Sequence, residues 1–254
     1  WKGTSIEQTR PTPEREFPTW RPNPDKSWIL KDPASGRWQA VIDPSKSNTT
    51  GADEHTFLDG DKVGGVVNGT VDPHLIEAPT KFELADDWSA ADYLVDQEGG
   101  TAAMRVYEAD AVAGPDGHYR QSSVADIANR GRDVTAQFDI TLQGNKAVAT
   151  AKPAYLAKLR GMGAPLQVTL LVPFTVNFAN GGGAGQVRRD SGRRPGDEMT
   201  FCEAPGAGPA SGRALKNKGS ETVNNQETPT NEPKICGYVP PVRKDVVSEA
   251  SQGG

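Results

Sequence analysis

At 254 residues the chain is long enough to bury an adequate core, yet its 28 glycines and 20 prolines fill roughly one position in five, against roughly 12% in average usage. An apolar fraction of only 35% implies long irregular segments, while strand-like and helix-like patterns in the middle of the chain exclude full disorder. A net charge of −5 from interspersed acids and bases excludes a surface built throughout for nucleic acid or acidic lipid. No apolar run reaches the roughly 18–20 residues of a membrane-spanning helix.

Residues 1–44 hold seven prolines and four of the five tryptophans. Prolines at 11, 13, 18, 22 and 24 fix φ and push each preceding residue out of the helical region, so this arm is expected to be extended. Its Phe17 and Trp20 are large apolar groups on a segment with no core of its own, which predicts docking on a neighbouring surface. Because the sequence starts at Trp1 rather than Met, a targeting segment is expected to have been cleaved or to precede the numbering.

Ser27–Leu30 and Arg37–Ile42 flank an Asp-Pro…Gly turn and predict a hairpin. Residues 44–62 are expected to be loop, and Lys62–Val71 a second hairpin turning at Asn68-Gly69. Asp86-Asp-Trp-Ser, running to Gly99-Gly100, carries the acidic start and glycine stop of a short helix. Farther on, Met104–Glu108 alternates as a strand and Ser123–Arg130 forms a short helix. Val134–Leu142 and Lys146–Lys152 pair across Gly144-Asn145. Pro153–Arg160 opens on proline and closes before glycine, as a helix does, and Leu166–Phe178 is a long buried strand.

These elements predict an α+β, β-rich fold: a central sheet or sandwich with two or three short helices and long extended arms and loops. The strand and helix order fits a split β-α-β unit or a sandwich with helical connections. Four segments are expected. Residues 1–44 form the arm with its hairpin, 45–100 a loop-rich segment with a short helix, 101–178 a compact β-rich core, and 179–254 a Gly/Pro-rich excursion with a tail.

Within the last segment, Cys202 and Cys236 each sit in a short strand-like run, separated by polar sequence unable to hold itself together. A disulfide would pin that strand pair, contribute roughly 4 kcal/mol in the chain-entropy model, and imply an oxidising compartment. Arg188, Arg189, Arg193 and Arg194 stand beside a glycine run at 181–185. The run lacks the Gly-Lys-Ser/Thr of a phosphate loop. The arginines are expected to pair with nearby acids or with carboxylates of an adjacent subunit, so nucleic acid could be met only locally, through 188–194.

Catalytic constellations are sparse. The three histidines are isolated, no Gly-x-Ser-x-Gly elbow occurs, and no cofactor motif appears. Asp53, Asp59 and Asp61 are weak candidates for an irregular calcium site, since a helical calcium-hand would need other residues at Val63 and Thr70. Two sequons, at Asn48 and Asn68, lie near chance frequency.

The expected function is a non-enzymatic structural subunit of an extracellular or virion assembly, its arms lying on neighbouring subunits, in a homo-oligomer or larger array. One alternative is a secreted or periplasmic module presenting Trp20, Trp28 and Trp38 to a sugar or peptide. Another is an extracytoplasmic hydrolase using Asp53, Asp59 and Asp139.

Overall fold

Two antiparallel sheets face each other, and the computed structural model describes residues 23–40, 56–58, 60–71, 79–91, 95–113, 119–120, 124–160, 162, 165–177, 199–201 and 215–239. In chain order the first strands are β1 (Asp25–Lys31), β2 (Trp38–Ala40), β3 (Thr56–Leu58), β4 (Lys62–Val71), β5 (Phe82–Asp87), β6 (Val95–Gln97) and β7 (Arg105–Asp110). A small pair, β8 (Val112–Ala113) and β9 (Tyr119–Arg120), precedes helix α1 (Val124–Arg130) and β10 (Arg132–Asp133). The hairpin β11 (Phe138–Gln143) and β12 (Lys146–Ala151) leads to helix α2 (Pro153–Lys158) and β13 (Leu166–Val176). The last strands are β14 (Met199–Phe201), β15 (Leu215–Lys216), β16 (Lys218–Val223), β17 (Gln226–Pro229) and β18 (Lys234–Val239).

The larger sheet has the order β10-β7-β13-β4-β1-β2, with β6 also on β13. The second sheet runs β11-β12-β5-β16-β17, and a small sheet joins β14, β18, β15 and β3. Every pairing in the two large sheets is antiparallel, so the split β-α-β alternative gives way to the sandwich.

Between the sheets Trp28, Val63, Val67, Leu84, Ala147, Ala149, Val168, Leu170 and Phe174 form one buried cluster. Trp28 meets Phe57 and Phe174 edge-on, with ring centroids 6.2 and 5.8 Å apart. The outer face of the large sheet carries Ile29, Val66 and Leu171, with Trp38, Tyr107 and Ala128 of α1 packed against them.

The predicted turn between β1 and β2 forms as expected. Asp32 accepts from the Ala34 N–H and the Ser35 hydroxyl, and Gly36 takes φ +71°. The short helices predicted at Ser123–Arg130 and Pro153–Arg160, the β11–β12 hairpin and the long β13 strand are present.

Three expectations are corrected. Residues 44–62 are not loop throughout: Thr56–Leu58 forms β3, which the non-local partner β18 holds extended in a parallel pair. Lys62–Val71 does not turn at Asn68-Gly69 but runs straight as β4, because β1 and β13 flank it and occupy both of its hydrogen-bonding edges. Asp86 and Asp87 do not open a helix. They end β5, a strand paired on both sides by β12 and β16, and only a single 3₁₀ turn follows at Ser89–Ala91. The polar interval before Cys236 also contributes a hairpin, β16–β17, which extends the second sheet. The extended arm, Phe17 and Trp20 lie outside the described residues.

Candidate functional site

The sheet interface holds a buried polar cluster built from three segments of the chain. Lys26 lies on β1 in phase with Trp28, so the pleat that turns the tryptophan into the core turns the lysine inward too. Asp86, on β5, is two residues from the buried Leu84, in phase with it, and is likewise directed inside. Lys26 Nζ donates to Asp86 Oδ2 at 2.7 Å, and both side chains are 0% exposed.

Asn217, immediately before β16, completes the cluster and is itself buried. A Cβ built on Gly65 of β4 would lie 2.8 Å from Asn217 Nδ2, 2.8 Å from Asp86 Oδ2 and 3.0 Å from Lys26 Nζ. The amine, the carboxyl and the carboxamide therefore converge on one small volume. Asn217 Nδ2 and Oδ1 and Asp86 Oδ1 make no hydrogen bond of ordinary geometry among the described residues.

The backbone beneath the amine is clamped. Asn231 Oδ1 accepts from the Lys26 N–H at 2.9 Å, and Asn231 Nδ2 donates to the Lys26 carbonyl at 3.0 Å. The Asn217 N–H donates to the Pro233 carbonyl at 3.3 Å, so one segment after β17 holds the backbone at both Lys26 and Asn217.

Burial sets the protonation of the pair. Loss of water pushes the Lys26 ammonium pKa down, against the pull of Asp86, and pushes the Asp86 carboxyl pKa up, against the pull of Lys26. Both directions favour the neutral amine and the neutral acid. A neutral amine is a nucleophile, and a carboxylic acid beside it can donate one proton while accepting another.

Farther along the same interface stands Glu221 of β16, 0% exposed, with both carboxyl oxygens unpartnered among the described residues. A Cβ on Gly69 would lie 2.8 Å from its Oε1, and burial raises its pKa to about 8. At the sandwich edge Glu108 accepts from Tyr155 Oη at 2.7 Å, Lys158 Nζ at 2.6 Å and Arg132 Nε at 3.1 Å. Burial opposes the Glu108 charge, but these donors hold its pKa below the usual value, and its lone pairs are occupied by structural partners.

The sequence candidates are placed as follows. Arg188, Arg189, Arg193, Arg194, Asp53, Asp59 and Cys202 lie outside the described residues; Cys236 lies on β18, opposite Thr56 of β3. Asp61 accepts from the Leu58 N–H at 2.9 Å, and among the described residues no group of three or more His, Cys, Asp and Glu is arranged to hold a metal ion. Trp28 is fully buried and so cannot be presented to a ligand, while Trp38 packs on the outer cluster and Asp139 is exposed beside Lys152. Asn68 of the second sequon is buried, accepting from Thr169 Oγ1 at 2.6 Å and Gln167 Nε2 at 3.3 Å.

Lys26, Asp86, Asn217 and Glu221 were not singled out from sequence as a site. The available signal was phase: Lys26, Asp86 and Glu221 are polar residues at inward positions of strands, and Asn217 directly precedes one.

No known family and no curated protein matches the chain. Among solved structures it is similar to the C-terminal domain of the AgI/II polypeptide BspA of Streptococcus agalactiae, with TM-score 0.49 and 10% identity over 86% of this chain and 50% of that one. It is also similar to the pilus backbone protein RrgB of Streptococcus pneumoniae, with TM-score 0.42 and 12% identity over 85% of this chain and 35% of that one. The major pilin subunit BcpA of Bacillus cereus gives TM-score 0.41 and 12% identity over 85% and 40% of the two chains. The chain thus spans half or less of the length of these proteins. Likenesses of this strength assign neither family nor function to it. Among the described residues no helix is long and apolar enough to cross a membrane.

Proposed function

We propose that this chain is a structural module of an extracellular assembly, whose two sheets are tied by an amide bond that it forms within itself between Lys26 and Asn217. The convergence of a buried amine, a buried carboxyl and a buried carboxamide on one point carries the reading. Asp86 acts as the proton carrier. It is the group hydrogen-bonded to the nucleophile, and its uncharged form is the one that burial favours.

The step balances without a co-reactant. Neutral Lys26 Nζ attacks Asn217 Cγ, the new C–N bond forms, and the carbonyl electron pair moves onto Oδ1. Asp86 takes a proton from the attacking nitrogen and delivers one to Nδ2. The Cγ–Nδ2 bond then breaks and ammonia leaves, while the carboxyl returns to its starting state. Holding the groups together converts a slow aminolysis into an effectively intramolecular one, and the dry interface protects the product from hydrolysis.

The chain turns over once, on itself, and so is not an enzyme in the ordinary sense. A bond from β1 to the residue before β16 lets tension between the two ends bypass most of the intervening chain, which suits a load-bearing element outside the cell. The docking of Phe17 and Trp20 on neighbouring copies, the Cys202–Cys236 disulfide, and the arginine contacts at 188–194 belong to the same proposal.

Intact-mass spectrometry tests it. With its cysteines reduced, the purified chain is expected about 17 Da below the mass of its sequence, the mass of one ammonia. Asn217→Ala, Lys26→Arg and Asp86→Asn are each expected at full mass. A tandem spectrum should join the peptides carrying Lys26 and Asn217. Full mass for the native chain, or a water loss mapping to Lys26 and Asp86 instead, would overturn the Lys26–Asn217 assignment.

A further inference from the structure

The three converging groups meet over a residue that has no side chain. β4 carries glycines at 64, 65 and 69, and none of them has φ in the left-handed region, so backbone conformation does not demand glycine at any of the three. Space separates them. A Cβ on Gly64 would meet Leu171 at 2.6 Å and Ile29 at 2.9 Å, on the outer apolar face of the sheet. At Gly69 it would meet Glu221, an acid with no amine partner. Only at Gly65, among the described glycines, would it meet the ends of three polar side chains from three different strand segments.

We propose that Gly65 is the positioning residue of the ligation, its missing side chain leaving the volume in which the Lys26 amine, the Asp86 carboxyl and the Asn217 carboxamide meet. This rests on the Lys26–Asn217 reaction proposed above. A methyl group in that volume stands closer than van der Waals contact to all three atoms, so they must separate, and a displacement of about 1 Å is enough to lower such a rate by about 100-fold. The tetrahedral carbon formed at Asn217 needs the same space.

The test compares Gly65→Ala with Gly64→Ala and Gly69→Ala in the full chain, reading the linked fraction by intact mass and the fold by circular dichroism and melting temperature. Gly64→Ala serves as the packing control because its predicted overlaps are at least as severe. The native chain, Gly64→Ala and Gly69→Ala are expected to be linked, with Gly65→Ala folded and its linked fraction reduced by about tenfold or more. A fully linked Gly65→Ala would overturn the inference, as would an equal loss of linkage in Gly64→Ala. An unlinked native chain would instead overturn the ligation itself. If Gly65→Ala fails to fold, the Lys26→Ala, Gly65→Ala double variant decides: its folding would place the crowding at the reacting amine, and its failure would make Gly65 a structural residue only.

Discussion

Replacing Asn217 with alanine removes the proposed electrophile and leaves the 2.7 Å Lys26–Asp86 pair intact, so it separates the covalent link from the ion pair. The link would close a loop from residue 26 to residue 217, roughly 190 residues, and in the chain-entropy model a loop of that length stabilises by roughly 5 kcal/mol. For a domain of this size each kcal/mol corresponds to about 2–4 °C, so the melting temperature of Asn217→Ala is expected to fall by about 10–20 °C. The size of the change is informative: in an unlinked protein the substitution would remove only the contact of the Asn217 amide with the Asp86 carboxyl, a loss on the order of 1 kcal/mol, or about 2–4 °C. Differential scanning calorimetry of the native and variant chains, each with its intact mass recorded, supplies the measurement. Both chains at the full mass of their own sequences, together with a melting temperature unchanged within about 3 °C, would refute the reasoning.

Glu221→Gln addresses the second buried acid. Its folded pKa of about 8 exceeds the ordinary 4.5, so the folded state binds more protons between these values, and stability present in full below pH 4.5 is lost as pH rises toward 8. The whole effect is on the order of 5 kcal/mol. Asp25, raised by burial to about 6, contributes in the same direction but chiefly below that pH. Between pH 6 and 8 the melting temperature of the native chain should therefore fall more steeply than that of Glu221→Gln; parallel curves would refute the assignment. Tyr155→Phe removes the 2.7 Å hydrogen bond to buried Glu108 and is expected to cost about 1.5–3 kcal/mol by urea unfolding, without altering the intact-mass deficit. A loss below about 0.5 kcal/mol would show that Lys158 and Arg132 suffice to hold the carboxylate. In a glycosylating host, peptide mapping should find Asn68 unmodified, because its amide is enclosed between β4 and β13; a glycan there would mean modification before folding.

Periodicity and turn chemistry made much of the β-rich fold legible in advance. Alternation marked β11 and β12 around Gly144, whose φ of +57° is the left-handed turn position that glycine accepts freely. Proline at its start and glycine past its end marked α2, and an unbroken apolar run marked β13. The misreadings arose where local signals met a stronger non-local partner. Asn68-Gly69 resembles a tight turn, but the ladders from β1 and β13 fix it as extended, and Asp86-Asp87 resembles a helix start until β12 and β16 claim both edges of β5.

By itself the sequence determined the class: a β-rich chain of strands and short helices punctuated by glycine and proline, with no metal or cofactor motif. It did so because pleat, turn and capping preferences act over a few residues. Only the tertiary structure decided that Lys26, Gly65, Asp86 and Asn217 share one dry volume. Their separations along the chain are long, and the reactivity of each depends on what the opposing sheet places against it. An inward lysine in a strand is a packing anomaly until an acid and an amide, brought from two other strand segments, surround its amine.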